Sequence, residues 1–346
     1  MRSSFFVFFS TLTLLLSPAA SRAWDYEGHH AVNELALRAL PANFPAFALT
    51  AEARERIAYY SDEPDRWRNL PDLALHHVNG PDHYIDFEQI YDCGLTPATL
   101  PPLRYDFVVV LANARAAHPD RFPQIDPAQN ADQTRQLIGF LPWTIAEQYA
   151  KLKSGFSTLQ ALQTAGGRPE EIADTEAAII YTMGVMGHYV GDASQPLHTT
   201  IHFNGWVGPN PHQYTTKHTF HQWIDGGYFN KTGGINVAGL AAALQPARQL
   251  PNADKDDGIF RVAVDFVVTN NALVEPLYQM EKNGQLTGRD EQGRTGRKLL
   301  DGQLVKSGQL LADLWYTAWQ QAPEDTYLKR QLLRRDSAGH PAKANP

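Results

Sequence analysis

The chain has 346 residues, of which 43% are hydrophobic and 19% charged, a composition that excludes intrinsic disorder and fits an ordinary globular protein. Its formal net charge of -7 excludes the strongly basic class of protein that binds nucleic acid through bulk electrostatics. Cys93 is the only cysteine, which excludes an intramolecular disulfide, whereas there are 13 histidines.

The first 23 residues have the pattern of a secretory signal peptide. A basic residue precedes an apolar run from Phe5 to Leu16, which is too short to span a membrane. Ser21 and Ala23 are small residues of the kind found at signal-peptidase sites. The sequence therefore predicts export to the periplasm or the medium, with cleavage near Ala23/Trp24. No later apolar stretch is as long as about 18 residues, so we expect no stable membrane association.

Helical periodicity dominates the rest of the chain, with no alternating strand pattern and no linker that divides it. Apolar residues recur at helical spacing in the segments 29–40, 51–60, 174–190, 258–281 and 297–320. The segment 174–190 has few polar interruptions, which indicates a helix buried on most sides. We therefore predict an all-α fold in which one large domain covers residues 24–334, followed by a polar, disordered tail over residues 335–346.

The strongest local signal is a histidine and an aspartate, His188 and Asp192, at the end of an apolar segment. Their four-residue spacing places both side chains on one face of a helix. An ionised carboxylate in such surroundings needs a cation or another partner. Gln195 and Pro196 are expected to end the helix, His198 follows just after this break, and His221 and Asp225 repeat the spacing. The repetition favours a metal site over a single hydrogen bond in the core.

Further imidazole and carboxylate groups lie in the first part of the chain. The candidate functional residues in this part of the chain are Trp24, His29, Asp65, Arg68, His83 and Asp86. Imidazole and carboxylate ligands without thiolate are typical of catalytic zinc sites. These ligands are more than one ion requires, so we predict a cluster of two or three zinc ions. Two choices stay open, because Asp62 is a rival of Asp65 and His218 is a rival of His221.

The order of these motifs resembles the zinc-dependent single-strand nucleases of the S-one and P-one type. The resemblance rests on Trp at the mature N-terminus, Gly-His, Pro-Asp-x-x-Arg, His-Tyr-Ile-Asp, His-x-x-x-Asp-x-x-Gln-Pro-Leu-His and a second His-x-x-x-Asp. It covers residues 24–320, nearly the whole predicted mature chain. These nucleases share an α-helical fold with the zinc-dependent bacterial phospholipases C. The resemblance therefore implies a helical domain of that type with a trinuclear zinc cleft.

The resemblance also implies roles for individual residues. The zinc ligands it implies are Trp24, His29, Asp65, His83, His188, Asp192, His198, His221 and Asp225. By this resemblance Asp192 would bridge two of the ions, and one of these would also be held by the amine and carbonyl of Trp24. By the same resemblance Asp86 would orient the attacking water, and Arg68 would stabilise the negative charge that builds on the phosphoryl group.

The activity that the resemblance implies is hydrolysis of single-stranded DNA or RNA to 5'-phosphorylated products, with 3'-nucleotidase activity on nucleotides. Aromatic residues near the motifs are candidates for base stacking, namely Tyr60, Trp67, Tyr84, Trp206 and Tyr214. The alternative is a zinc-dependent phospholipase C acting on phosphatidylcholine-type lipids. A zinc-binding protein without turnover is a third interpretation, and the presence of Arg68 and Asp86 argues against it. No protein partner is inferred.

Overall fold

The structure is a computed structural model that describes residues 24–337. The predicted signal peptide, residues 1–23, lies outside the described residues, and so does the predicted tail beyond Ser337. Within the described part of the chain, no helix is both long enough and apolar enough to cross a membrane.

The described residues form an all-α fold. Its helices are α1 (Tyr26–Ala39), α2 (Ala51–Tyr60), α3 (Glu63–Asn69), α4 (Leu73–Asn79), α5 (Arg104–Ala117), α6 (Leu141–Thr164), α7 (Pro169–Ser194), α8 (Phe220–Gln222), α9 (Tyr228–Lys231), α10 (Val237–Leu240), α11 (Gly258–Asn271), α12 (Val274–Lys282), α13 (Arg297–Gln320) and α14 (Thr326–Ser337). A π-helical turn (Trp223–Gly227) joins α8 to α9, and short 3-10 turns include Gly80–His83 and Pro196–Thr199. Extended pairing in residues 24–337 is limited to isolated bridges.

Most of the predicted helical segments correspond to single helices. Segments 51–60 and 297–320 coincide with α2 and α13. Segment 258–281 is different, because the chain divides it into α11 and α12. Two asparagines end α11 by turning to other segments, since Asn270 Nδ2 donates to Ala193 O and Asn271 Nδ2 donates to Thr199 O, both at 2.8 Å. Asparagine side chains compete with the helical hydrogen bonds of the backbone, which favours a break at this point.

Helix α7 lies at the centre of the fold. It packs against α6, α13, α2 and α1, and every residue from Met183 to Ser194 is buried. The prediction of a helix buried on most sides is confirmed for the second half of α7, whereas none of residues 169–178 is buried. A polar group on the last turns of α7 has no access to bulk water, so it must find its partners within the protein.

Helix α14 continues past residue 335, where the sequence predicted the start of a disordered tail. Contacts of Arg335 account for the difference, because its Nη1 lies 2.8 Å from Glu171 Oε1 and its Nη2 donates to Gly166 O at 2.9 Å. These contacts tie the end of α14 to the start of α7. The helix therefore extends to Ser337.

Candidate metal centre

The last turns of α7 carry the first part of a buried cluster of histidine and aspartate side chains. His188 and Asp192 lie one turn apart, with His188 Nε2 3.4 Å from Asp192 Oδ2. His29 on α1 stacks on His188, with ring centroids 3.8 Å apart, and its Nε2 lies 3.5 Å from Asp192 Oδ1. All three side chains are buried, and their ligand atoms are close enough together to hold one metal ion.

A second group shares His188 and adds side chains from α3 and from the turn after α4. His83 Nδ1 lies 2.9 Å from His188 Nε2 and 3.0 Å from Asp192 Oδ2. Asp65 reaches the same point, with its Oδ1 3.9 Å from His188 Nε2 and 4.0 Å from His83 Nδ1. Asp65, His83 and His188 are therefore also spaced to hold a metal ion. Asp192 presents one carboxylate oxygen to each group.

The third group combines the turn after α7 with the second His-x-x-x-Asp pair. Helix α7 ends before Pro196, as the sequence predicted, and the following 3-10 turn carries His198. His221 Nε2 lies 2.8 Å from His198 Nε2 and 3.1 Å from Asp225 Oδ2. His221 belongs to α8 and Asp225 to the π-helical turn. All three side chains are buried and form another set that could hold an ion.

Hydrogen bonds to backbone carbonyls orient two of the histidines. His188 Nδ1 lies 2.7 Å from Ser61 O, and His198 Nδ1 lies 2.7 Å from His83 O. A carbonyl oxygen only accepts hydrogen bonds, so each Nδ1 carries the proton. Each Nε2 then keeps its lone pair, which is the arrangement usually found for histidines that bind metal.

Gln195 orients the aspartate of the third group. Its Nε2 donates to Asp225 Oδ1 at 2.7 Å, and its Oε1 accepts the N–H of Leu197 at 2.7 Å. Because both ends of the amide are engaged, the side chain holds one orientation and leaves Asp225 Oδ2 facing His221. The sequence reasoning treated Gln195 as part of the helix break and missed this role. Its position directly before Pro-Leu-His was the available signal.

The cluster leaves buried polar atoms without a hydrogen-bond partner. Among the described residues these include His29 Nδ1, His29 Nε2, His83 Nε2, Asp192 Oδ1, His221 Nδ1 and Asp225 Oδ2. Burial lowers the pKa of His83, His188 and His221 well below its usual value, so these imidazoles are neutral. Burial also raises the pKa of Asp192 and Asp225 well above the usual value. Bound cations would satisfy those of the atoms that face the ligand groups, His29 Nε2, Asp192 Oδ1 and Asp225 Oδ2, and would compensate the buried carboxylates, so the donor set fits metal ions.

Trp24 lies beside the end of α7 and the π-helical turn. Its indole Nε1 donates to Gly191 O at 2.9 Å and to Ser194 Oγ at 3.0 Å. The next residue, Asp25, donates its N–H to Asp225 O at 3.2 Å. The backbone of residue 24 is thus held next to the first and third ligand groups.

The two rival ligands lie outside the three groups. Asp62 Oδ2 lies 3.0 Å from His30 Nε2, which gives this buried carboxylate a different partner. His218 is exposed, and its Nδ1 lies 3.1 Å from Asn204 O. Asp65 belongs to the second group instead, and His221 belongs to the third.

A cleft of about 640 Å³ adjoins the centre. Ligands of the second and third groups, His83, His198 and His221, form part of its lining. Both predicted catalytic residues, Arg68 and Asp86, line the same cleft. The structure therefore brings the candidate metal ligands, a cation and a further carboxylate to one opening.

Arg68 and Asp86 are each held in a defined place in this cleft. Arg68 Nη2 lies 2.5 Å from Asp65 Oδ1, so the guanidinium is anchored to a candidate ligand. The backbone N–H of Asp86 donates to Ile138 O at 2.7 Å. Burial, and then the charge of Glu88, raises the pKa of Asp86 to about 7. Its carboxyl group can therefore gain or lose a proton near neutral pH.

The aromatic residues of the cleft differ in part from those predicted. Tyr84 lines the cleft as a stacking residue would. The remaining predicted stacking residues belong to the hydrophobic core or pack against it, namely Tyr60, Trp67, Trp206 and Tyr214. Phe203, which the sequence reasoning missed, lines the cleft with 44% of its surface exposed. Its ring lies edge-on to His221, with centroids 5.9 Å apart.

Comparison with known proteins adds no relative, since no protein-family model matches the chain and no curated protein matches it. The donor atoms, their burial and the adjoining cleft are therefore the features that indicate the chemistry of the centre. These residues provide three buried histidine and aspartate groups that could hold metal ions.

Proposed function

We propose that this protein is an exported zinc-dependent phosphodiesterase, an endonuclease that hydrolyses single-stranded DNA or RNA to 5'-phosphorylated products and has 3'-nucleotidase activity. One observation carries the proposal: three buried groups of histidine and aspartate adjoin a cleft that also contains Arg68 and Asp86. Metal ligands, a fixed cation and a titratable carboxylate are the groups that hydrolysis of a phosphodiester requires.

The donor set favours zinc, because imidazole and carboxylate ligands without thiolate are typical of catalytic zinc sites. In this proposal one ion is held by Asp65, His83, His188 and Asp192, another by Asp192, His29 and the amine and carbonyl of Trp24, and a third by His198, His221 and Asp225. When bound, such ions lower the pKa of water towards about 7 and neutralise phosphate oxygens.

Arg68 is proposed to bind the reacting phosphate. Its contact with Asp65 fixes the guanidinium at the edge of the cleft. A guanidinium carries several N–H donors in one plane, so it can keep this contact and still donate to a phosphate oxygen. These hydrogen bonds strengthen as charge builds on the phosphoryl oxygens, which lowers the energy of the transition state.

Asp86 is proposed to orient the attacking water and to accept its proton. A carboxylate whose pKa is raised to about 7 is a stronger base than an exposed aspartate, and its pKa is matched to neutral pH. Its anchored backbone keeps the side chain in the cleft. The role requires the ionised form of Asp86.

The aromatic side chains of the cleft favour single strands as the substrate. Tyr84 and Phe203 line it and offer ring faces or edges to unpaired bases. The bases of a duplex are already paired and stacked on each other, so they reach such a surface only after strand separation. Binding by stacking is also tolerant of sequence, as a general endonuclease requires.

A zinc-dependent phospholipase C that acts on phosphatidylcholine-type lipids is the second candidate function. One observation favours it, since Leu73 and Phe203 line the cleft with 60% and 44% of their surface exposed. Apolar side chains at the entrance of a metal cleft suit acyl chains as well as bases. The choice between the two therefore needs a direct comparison of substrates.

Metal analysis and substrate assays test the proposal together. The zinc content of the purified mature protein is measured, and cleavage of single-stranded DNA, RNA and phosphatidylcholine is followed before and after chelation. A duplex of the same sequence is the control for strand preference. We expect three tightly bound zinc ions, and cleavage of single strands that chelation abolishes and zinc restores. Fewer than two zinc ions would contradict the cluster, and cleavage of lipid without nucleic acid would favour the phospholipase.

The proposed amine ligand has a separate test. One alanine inserted before Trp24 in the mature protein moves the α-amine away from the Trp24 carbonyl. We expect this variant to lose one zinc ion and most of its activity, while the ligand side chains stay unchanged. Unchanged zinc content and activity would exclude the N-terminal amine as a ligand.

A further inference from the structure

Part of the cleft lining lies outside the candidate ligand groups. It consists of α4, which contributes His76, and of residues 128–137, here called the wall segment. His77 joins the two parts, because its Nδ1 lies 2.7 Å from the backbone oxygen of Asp132. This side of the cleft has no assigned task in the proposed hydrolysis.

The backbone of the wall segment is held by its own hydrogen bonds. The Asn130 side chain donates to Gln136 Oε1 at 2.9 Å and accepts the N–H of Arg135 at 3.0 Å. Gln133 has a φ of 58°, a left-handed conformation that is costly for residues other than glycine. Its Nε2 donates to Asn130 O at 2.8 Å. The segment thus has a defined shape, as expected of a loop that binds a ligand.

The wall segment presents a guanidinium that has no acidic partner among the described residues. Arg135 is exposed and its Nε donates to Gln129 O at 3.4 Å, but within the described residues its guanidinium is in no ion pair. The carboxylate of this wall, Asp132, is engaged locally, because its Oδ1 accepts from Thr134 N and Oγ1 at 3.2 and 2.9 Å.

We propose that Arg135 binds a phosphate that flanks the reacting one, which makes the wall segment a subsite for a strand with at least two phosphates. The inference rests on the proposed function and specifies its substrate. Arg68 is anchored to Asp65 beside the reacting centre, whereas Arg135 belongs to a different element of the same cleft. Each arginine therefore serves a different phosphate.

The chemistry of this wall fits a nucleotide chain. A guanidinium binds a phosphate through parallel N–H···O hydrogen bonds, and Arg135 belongs to the cleft lining. The cleft of about 640 Å³ falls within the range of about 300–1,000 Å³ that holds a drug-sized ligand. It is therefore large enough for a ligand that extends beyond a single phosphate group.

The experiment compares substrates that differ by one phosphate. The zinc-loaded wild-type protein and the variant Arg135→Gln are assayed on a dinucleoside monophosphate and on the same molecule with an added 5'- or 3'-terminal phosphate. The measured quantity is the ratio of kcat/KM for cleavage of the internucleoside bond with the added phosphate to the same kcat/KM without it. Arg121→Gln is the control, because it removes the same charge from an exposed arginine that does not belong to the cleft lining. Zinc content and thermal unfolding are checked for all three proteins.

We expect the wild-type protein to prefer a substrate with the added phosphate at one end, and Arg135→Gln to lower that ratio about tenfold, as for one hydrogen bond between charged groups. Arg121→Gln keeps the wild-type ratio. An unchanged ratio in Arg135→Gln overturns the proposal.

A binding measurement separates this inference from the proposed function. If the wild-type protein cleaves no nucleic acid, the proposed function fails, and calorimetry with the zinc-loaded proteins decides the role of Arg135. The probes are thymidine 5'-monophosphate and thymidine 3',5'-bisphosphate. Tighter binding of the bisphosphate to the wild type, reduced in Arg135→Gln, supports the phosphate subsite. Equal binding of both probes by the wild type overturns it.

Discussion

The two His-x-x-x-Asp pairs of this protein have the same spacing but different supports. His188 and Asp192 lie on α7, a 26-residue helix that packs against several other helices. His221 lies on the three-residue α8 and Asp225 in a π-helical turn. The ring of His188 is fixed by Ser61 O, whereas His221 Nδ1 has no hydrogen-bond partner within the described residues.

Equal spacing therefore does not give equal preorganisation. The second pair takes its orientation from outside its own segment, because Gln195 holds the Asp225 carboxylate and Asp25 donates to the Asp225 carbonyl. Ligands on a rigid, well-packed element hold their geometry more closely than ligands on a short turn. We expect the ions at the end of α7 to be held more tightly than the ion at His221 and Asp225.

The largest effect should come from exchanging the aspartate in each pair. Asp192→Asn removes a carboxylate that faces two ligand groups, so we expect the loss of two ions and of nearly all activity. The decrease in activity should exceed the decrease of about 10–100-fold that follows removal of a hydrogen-bond partner of a metal ligand. Asp225→Asn should remove one ion. The zinc content of each desalted variant measures both losses.

A matched variant controls for the exchange of aspartate itself. Asp301→Asn breaks an ion pair with Arg297 on α13, whose atoms lie 2.7 Å apart, and should keep all bound zinc. If Asp192→Asn and Asp225→Asn lose the same number of ions, Asp192 does not bridge and the difference between the pairs disappears.

The next largest effect separates metal binding from chemistry. Asp86 belongs to neither pair, and we expect Asp86→Asn to lower kcat by about 10²–10⁴-fold with unchanged zinc content. Only the ionised carboxylate accepts a proton, so wild-type activity should rise with pH through the pKa of Asp86.

The position of this pH limb follows from two opposing effects. Burial and Glu88 raise the pKa of Asp86 to about 7, and nearby metal ions lower it, so the limb is expected at or below about pH 7. The limb should be missing from the pH profile of Asp86→Asn. A variant that keeps the limb, or that loses zinc, would contradict the assigned role.

The sequence predicted those features that depend on local spacing. Helical periodicity placed α2 and α13 correctly, and the His-x-x-x-Asp spacing brought the two candidate ligands of each pair together, although the second pair spans α8 and a π-helical turn. It missed the 24-residue helix α6, and it missed α5, because Tyr105 and Val109 on that helix are exposed and blur its apolar face. The resemblance also named Arg68 and Asp86, which line one cleft.

Features that depend on which segments meet could not be predicted. The bond from His188 to Ser61 O joins positions 127 residues apart, and nothing in either segment indicates it. The wall segment has neither helical periodicity nor a ligand pattern. It is held at the cleft because His77 Nδ1 contacts the backbone oxygen of Asp132 in the segment, and Asp86 N–H donates to the backbone oxygen of Ile138 just after it. Such contacts arise only from the packing of the whole chain.

A smaller effect is expected from the residue that orients the second pair. Gln195→Ala removes the hydrogen bond to Asp225 Oδ1. Burial raises the pKa of the Asp225 carboxyl, and the hydrogen bond from Gln195 opposes this rise by a smaller amount. We expect about 10–100-fold weaker metal affinity at the third group, with the ions at α7 retained. Competition with a chelator should then remove one ion first.

The control for this variant is Gln309→Ala, because Gln309 Nε2 donates to Asp313 Oδ1 at 3.0 Å in a similar amide and carboxylate pair on α13. It should bind zinc as the wild type does. A Gln195→Ala protein that releases its ions together, or as slowly as Gln309→Ala, would mean that the second pair is preorganised without Gln195.

The smallest effects should come from two glycines, one beside each aspartate. A Cβ at Gly191 would lie 2.9 Å from His29 Nδ1, and a Cβ at Gly226 would lie 2.7 Å from Asp25 Cβ. Overpacking typically costs about 1–3 kcal/mol. Gly191→Ala displaces a ligand ring directly, whereas Gly226→Ala acts through Asp25 on the backbone of the third group. Both variants should weaken zinc binding moderately, each at its own group, as chelator competition would reveal.

Gly302→Ala is the control for these exchanges, since a Cβ there meets nothing within 4 Å and alanine suits the interior of α13 better than glycine by about 1 kcal/mol. It should raise the thermal unfolding temperature without changing zinc binding. Because the turn that carries Asp225 is short, Gly226→Ala should shift its ligand more than Gly191→Ala shifts His29. The reverse order of zinc affinities would mean that the end of α7 is the less tolerant of the two supports.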